Sequence, residues 1–79
     1  MCAHTLKPAT YESSTPREKQ ILDLLLNGCG NADIAKELGM NPRTVKAYFK
    51  RLFIRFRIAG GIKRVKLAVL VWREMNRHV

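Results

Sequence analysis

Histidine occurs only near the two ends of this chain, at His4 and His78, and cysteine only at Cys2 and Cys29. These residues and the carboxylates nowhere gather at metal-ligand spacing, and no glycine-rich loop follows a strand-like run. An enzyme is therefore not expected, nor is a metal or a cofactor. Two cysteines, one of them in the opening stretch, make no disulfide framework, and each is expected as a free thiol. Long apolar runs are also missing. The longest, Leu67 to Trp72, falls far short of the roughly 20 residues that a bilayer-spanning helix needs, and no apolar signal stretch opens the chain. The cytoplasm is the expected compartment, and a membrane is not an expected partner.

Acid is scarce in the second half. Residues 43–79 contain one acidic residue, Glu74, against eleven basic ones, for a net of 11 − 1 = +10. Residues 1–42 hold four basic groups and five acidic ones, for a net of −1. Solubility alone does not require charge to be segregated in this way. A concentrated positive field points to a polyanionic partner such as nucleic acid. The length, 79 residues, suits one domain, and a chain of this size buries only roughly 60% of its unfolded surface. That leaves little room for an enclosed active site, and no small-molecule ligand is expected in this domain.

Residues 1–13 show no periodicity and read as a flexible tail or linker, with the folded domain over residues 14–79. Thr15-Pro16-Arg17-Glu18 is a capping-box pattern with proline at the first helical position. It opens a first helix carrying Ile21, Leu22, Leu24, Leu25 and Leu26, which ends at Asn27-Gly28. Asn31 is expected to cap a short second helix, Ala32 to Leu38, stopped by Gly39. Asn41-Pro42 then starts a third helix over residues 42–57, with Val45, Phe49, Leu52 and Phe56 as its buried stripe. Gly60-Gly61 breaks the chain. A fourth helix, from about Ile62 to Arg77, carries Val65, Ala68, Val69 and Trp72 on one side. Strand periodicity is absent, so the expected class is all-α.

A short helix, a tight glycine-containing turn and a longer basic helix make a helix-turn-helix. The second helix of such a pair fits the major groove if its outer face is polar, basic and locally small. Lys46, Ala47 and Lys50 lie together opposite the Val45/Phe49/Leu52 stripe. Lysine donates to guanine O6 and N7, and alanine permits close approach to a thymine methyl. Asn31, Arg43, Thr44, Arg51 and Arg55 are placed to reach phosphates, which position a protein without reading sequence. The fourth helix is apolar on more than one face. Leu70, Val71 and Trp72 are expected to form a two-fold homodimer contact, which would set two reading helices about 34 Å apart on an inverted repeat. Two other readings compete: a protein-interaction adaptor on a helix-turn-helix scaffold that has lost specific DNA binding, and a cationic membrane-active peptide. The capped multi-helix pattern argues against the second.

The run Thr15-Pro16-Arg17-Glu18-x-x-Ile21-Leu22, then Gly28, Asn31-x-Asp33-Ile34-Ala35-x-x-Leu38 and Pro42-Arg43-Thr44-Val45-Lys46 closely resembles the LuxR/FixJ/NarL family. The resemblance covers roughly residues 14–72. It implies a four-helix domain that binds double-stranded DNA and regulates transcription, usually as a dimer. It further implies that Lys46, Ala47 and Lys50 face bases and that the fourth helix forms the dimer contact. Activation would need a surface for RNA polymerase. Several positions depart from the family pattern. Ser14 stands where leucine is usual, Gly30 where serine is frequent, Asp33 for glutamate and Tyr48 for histidine. Arg55-Phe56-Arg57 replaces Lys-Leu-Gly.

Overall fold

The helix boundaries follow from local backbone chemistry. In the computed structural model, which describes residues 9–76, α1 is Pro16–Leu26, α2 is Asn31–Leu38, α3 is Pro42–Arg55 and α4 is Lys63–Met75. No strand occurs among the described residues. Cys2, His4 and Lys7 of the expected tail, together with Arg77 and His78, lie outside them.

The capping box at α1 forms as expected. The Thr15 hydroxyl accepts from the Glu18 N–H at 3.2 Å, and Glu18 Oε1 accepts from the Thr15 N–H at 2.9 Å. At α3 the Asn41 Oδ1 accepts from the Arg43 N–H at 2.8 Å. The start of α2 differs from expectation. Gly30 is its cap and Asn31 is already helical. The Gly30 N–H donates to Asp33 Oδ2 at 3.3 Å, so the Asp33 carboxylate makes the reach-back half of a capping box while glycine offers no hydroxyl for the other half.

Three helices end in the same way. The N–H groups of Gly28 and Cys29 return to Leu25 and Leu24, those of Gly39 and Met40 to Lys36 and Ala35, and those of Arg57 and Ile58 to Ile54 and Phe53. This double closure requires a left-handed residue just past the helix. Gly28 and Gly39 supply it at φ 84° and 65°, but in α3 the residue is Arg57, at φ 59°. The third helix therefore stops at Arg55, two residues short of the expected Arg57. The fourth starts at Lys63, with Ile62 as its cap and no side chain serving it.

The core collects Ile21, Leu22 and Leu25 from α1, Ile34 and Ala35 from α2, Val45, Phe49 and Leu52 from α3, and Leu67 and Val71 from α4. Phe56 and Ile58, at the close of α3, complete it. Helix α2 packs on α3, while α1 packs on both α4 and α2. The α2–α3 pair, joined by the turn at Gly39 and Met40, is the helix-turn-helix read from the sequence.

Residues 9–13 are not a free tail. The Ala9 N–H donates to the Arg55 carbonyl at 2.8 Å. The Glu74 carboxylate on α4 accepts from the Tyr11 N–H at 2.9 Å and the Glu12 N–H at 3.3 Å. The Tyr11 hydroxyl donates to Asp23 on α1 at 2.9 Å. The segment is thus pinned to three helices by partners up to 63 residues away, which local periodicity does not register.

Candidate nucleic-acid interface

Burial of one α3 stripe decides what the opposite side presents. Val45 and Leu52 have no exposed surface and Phe49 is 2% exposed, so Arg43, Thr44, Lys46, Ala47, Lys50 and Arg51 are turned outward, and all six are exposed. No acidic residue lies within α3. Ala47 and Lys50 lie on the face opposite the core, Arg43 stands one turn before Ala47 on the same line, and Lys46 borders that face on the side of Phe53. Arg51 is held above Tyr48, with its guanidinium carbon 5.5 Å from the ring centre. Tyr48 is half-buried, so it serves as a rim support for a cation. Ile54 continues the same outward line and is 77% exposed, an apolar residue among cations.

Two of the expected phosphate-binding residues are engaged inside the protein. The Arg55 guanidinium donates to Glu18 Oε2 at 2.6 Å and pairs with it. Glu18 is 2% exposed. Burial pushes its carboxyl upward, but the Thr15 N–H, the Arg55 hydrogen bond and charge, and the Thr15 hydroxyl outweigh that and hold it below the ordinary carboxylate range. Arg55 therefore neutralises the buried end of α1 and fastens it to the last turn of α3. Asn31 turns its Oδ1 toward Arg64, which donates at 2.6 Å.

Arg64 was not singled out from the sequence. Its guanidinium also donates to the Cys29 carbonyl at 3.0 Å and lies over the Phe49 ring, 4.3 Å from the centroid. One side chain on α4 thus ties the α1–α2 loop, the start of α2 and the buried aromatic of α3 together. Its partners lie 33 and 35 residues away in the chain, and no local pattern marks them. Lys63 also escaped notice. Its ammonium stands 5.9 Å from the Phe53 ring centre, beside α3.

The expected dimer residues separate. Val71 has no exposed surface and belongs to the core, because it follows Leu67 by one turn on the side facing α1. It cannot contribute to an interface. Trp72, 59% exposed, continues the outward stripe of Val65 and Val69. Leu70 is exposed on a different side, between Lys66 and Arg73 in a groove of about 420 Å³. A second groove, of about 360 Å³, runs between the end of α1 and α4 and is lined by Leu25, Leu26, Gly28, Ala68, Val69 and Trp72.

With the outward basic helix and its supporting pair in place, comparison with known proteins is decisive. The family described as bacterial regulatory proteins, luxR family, matches residues 12–71. The chain belongs to the luxR family. Similar relatives include the transcriptional regulatory protein FixJ of Azorhizobium caulinodans, 39% identical over 54 residues, which are 68% of this chain and 26% of that protein. The probable transcriptional regulatory protein SgaR of Hyphomicrobium methylovorum is 35% identical over 66 residues, 84% of this chain and 31% of that protein. The response regulator UvrY of Escherichia coli is 30% identical over 59 residues, 75% of this chain and 27% of that protein. The chain thus spans about a quarter to a third of the length of these relatives. Its luxR-type helix-turn-helix is a DNA-binding element of transcription regulators. Among the described residues no helix is long and apolar enough to cross a membrane.

Proposed function

We propose that this luxR-family domain binds double-stranded DNA sequence-specifically in the cytoplasm and regulates transcription, with α3 in the major groove. The observation that carries the reading is the outward face of α3: cations with Thr44, Ala47 and Ile54 among them and no acid, on a helix whose other side is locked into the core. Lys46, Ala47 and Lys50 face the bases. Arg43, Thr44 and Arg51 take phosphates, while Arg55 and Asn31 act mainly as internal ties. Two copies associate through the α4 stripe of Val65, Val69 and Trp72, and the operator is an inverted repeat. Exposure of three large apolar side chains in one helical line supports that contact.

The test is selection from a randomised duplex pool, followed by Lys46→Ala and Lys50→Ala on the winning site at several salt concentrations. An inverted-repeat motif that both substitutions weaken is the expected result. A lysine that reads a base relaxes the motif at its position, whereas one that touches only phosphate weakens all sequences alike. Ile54, exposed in the middle of the basic face, favours a second reading in which this face docks a protein. Absence of enrichment for any duplex would support that reading instead.

A further inference from the structure

We propose that Lys63, from α4, is a second-strand phosphate contact that brackets the reading helix together with Arg51. The inference rests on α3 entering the major groove. A helix with its side chains is about 10–12 Å across and the groove is about 12 Å wide. The two flanks of a seated helix therefore face the two sugar–phosphate walls, which belong to opposite strands.

Each flank of α3 carries a cation parked on an aromatic ring. On one side Arg51 lies over Tyr48, three residues earlier and so on the same flank as Thr44. The other flank holds Lys46 and, seven residues on, Phe53; two turns separate them, so they lie in register. The Phe53 ring is half-buried, and it is the ring beside which the Lys63 ammonium stands, at 5.9 Å. Lys63 itself is exposed. The neighbouring Phe49 ring, 6.0 Å from Phe53, is covered by Arg64, and Arg64 is bonded to Asn31 and Cys29. The first turn of α4 is thus anchored by one cation, which leaves the next free to project alongside Lys46. A ring beneath each ammonium or guanidinium limits its wandering while its outer side stays in water, so little side-chain freedom remains to be lost on contact with a phosphate.

Neutralising one phosphate contributes a slope of about −0.9 in log K against log salt. Loss of Lys63 is then a reduction of that slope by about one unit and a weakening of about fivefold at 0.15 M salt, equal for every sequence. The experiment measures the salt dependence of the intact chain, Lys63→Ala and Arg51→Ala on the selected duplex. It is repeated with neutral methylphosphonates replacing the phosphates that border the motif, one strand at a time. Melting curves confirm that each variant is folded. The expected result is that each variant loses about one unit of slope with an unchanged motif, and becomes less sensitive than the parent to neutralisation on one strand, a different strand for each. An unchanged slope in Lys63→Ala, or reduced sensitivity to the same strand in both variants, overturns the assignment of Lys63 while leaving DNA binding intact. A parent chain that binds no duplex overturns the DNA-binding reading itself.

Discussion

Arg57 is the one non-glycine residue at positive φ among the described residues, at 59°. It occupies the position that closes α3, where the same double hydrogen-bond closure in α1 and α2 uses Gly28 and Gly39. The resembling family places glycine there too. In the left-handed region a Cβ crowds the following carbonyl, at roughly 1–2 kcal/mol. Glycine removes that strain but adds freedom to the unfolded chain worth about 0.4–1 kcal/mol. Arg57→Gly is therefore expected to stabilise the domain by about 0.5–1 kcal/mol. For a chain this small, 1 kcal/mol corresponds to about 4–8 °C, so the melting temperature rises by about 2–8 °C. Arg57 is exposed and the chain carries a net charge of +9, so losing a cation also relieves self-repulsion. Arg57→Ala separates the two effects: it removes the charge and keeps the Cβ. Asparagine tolerates this backbone better than most residues, and Arg57→Asn should fall between. Thermal and urea unfolding followed by circular dichroism give the ordering Gly above Asn above Ala. Equal stability of the glycine and alanine variants would refute backbone strain as the cause.

Glu18 supplies a pH signature. Its folded pKa lies below the ordinary 4.5, so its contribution is complete above about pH 4.5 and is lost as pH falls through the lowered folded value. Arg55 is 37% exposed, which screens the pair, and Glu18→Gln is expected to cost about 1–2 kcal/mol near neutrality. The gap from the parent in urea midpoints should be flat from pH 7 to about 5 and narrow below that; a gap that widens toward acid would contradict the assignment. Arg64→Met keeps the aliphatic length but loses two hydrogen bonds and the stacking on Phe49, for a loss of about 2–3 kcal/mol. Lysine there cannot serve both oxygens with a planar fork, so Arg64→Lys should restore only part; full recovery of the urea midpoint would show that charge alone suffices. Trp72→Glu should leave unfolding within about 0.5 kcal/mol of the parent and shift sedimentation toward monomer, whereas Val71→Asp should abolish cooperative unfolding. Dimers persisting in Trp72→Glu would move the contact off the α4 stripe.

Caps and turns were the most legible part of the sequence. Thr15 with Glu18, Gly28, Gly39, and Asn41 with Pro42 act over three or four residues, and their backbone partners are near neighbours. The buried stripe of α3 was equally plain, because a 4, 3, 4 recurrence admits one helical face. Helix α4 was harder. Apolar residues run without interruption from Leu67 to Trp72, so the pattern could not tell which side meets α1, and Val71 was given to the wrong one. The expected cap at Asn31 failed because the helix begins one residue earlier, with Gly30 as its cap. The Gly30 N–H donates to the Asp33 carboxylate, and the Asn31 amide oxygen accepts from Arg64 instead. The ordering of residues 9–13 depends on Glu74 and Arg55, distant in the chain, and was invisible for that reason.

The folded structure sorts the charge that composition could only count. In the basic half, Arg55 is neutralised by Glu18, Arg64 is spent on Asn31 and Cys29, and Lys66 donates to the Ala59 carbonyl at 3.3 Å. A half-buried cation needs such partners, and Arg55 and Arg64, both half-buried, serve as ties between elements that add rigidity to a small core. Arg43, Lys46, Lys50, Arg51, Arg57 and Lys63 are exposed on α3, at its close or beside it, while Lys66 and Arg73 are exposed further along α4. Six of the eight exposed cations described in this half therefore stand around one helix. A protein that used its cations only for solubility would have no reason to concentrate them there. On the reading proposed for α3, the same internal ties that fix α3 against α1 and α4 also fix where the exposed charges stand relative to one another. Breaking Arg55 or Arg64 should then weaken DNA binding through lost alignment, with the salt slope nearly unchanged, whereas loss of Lys63 or Arg51 should change the slope itself.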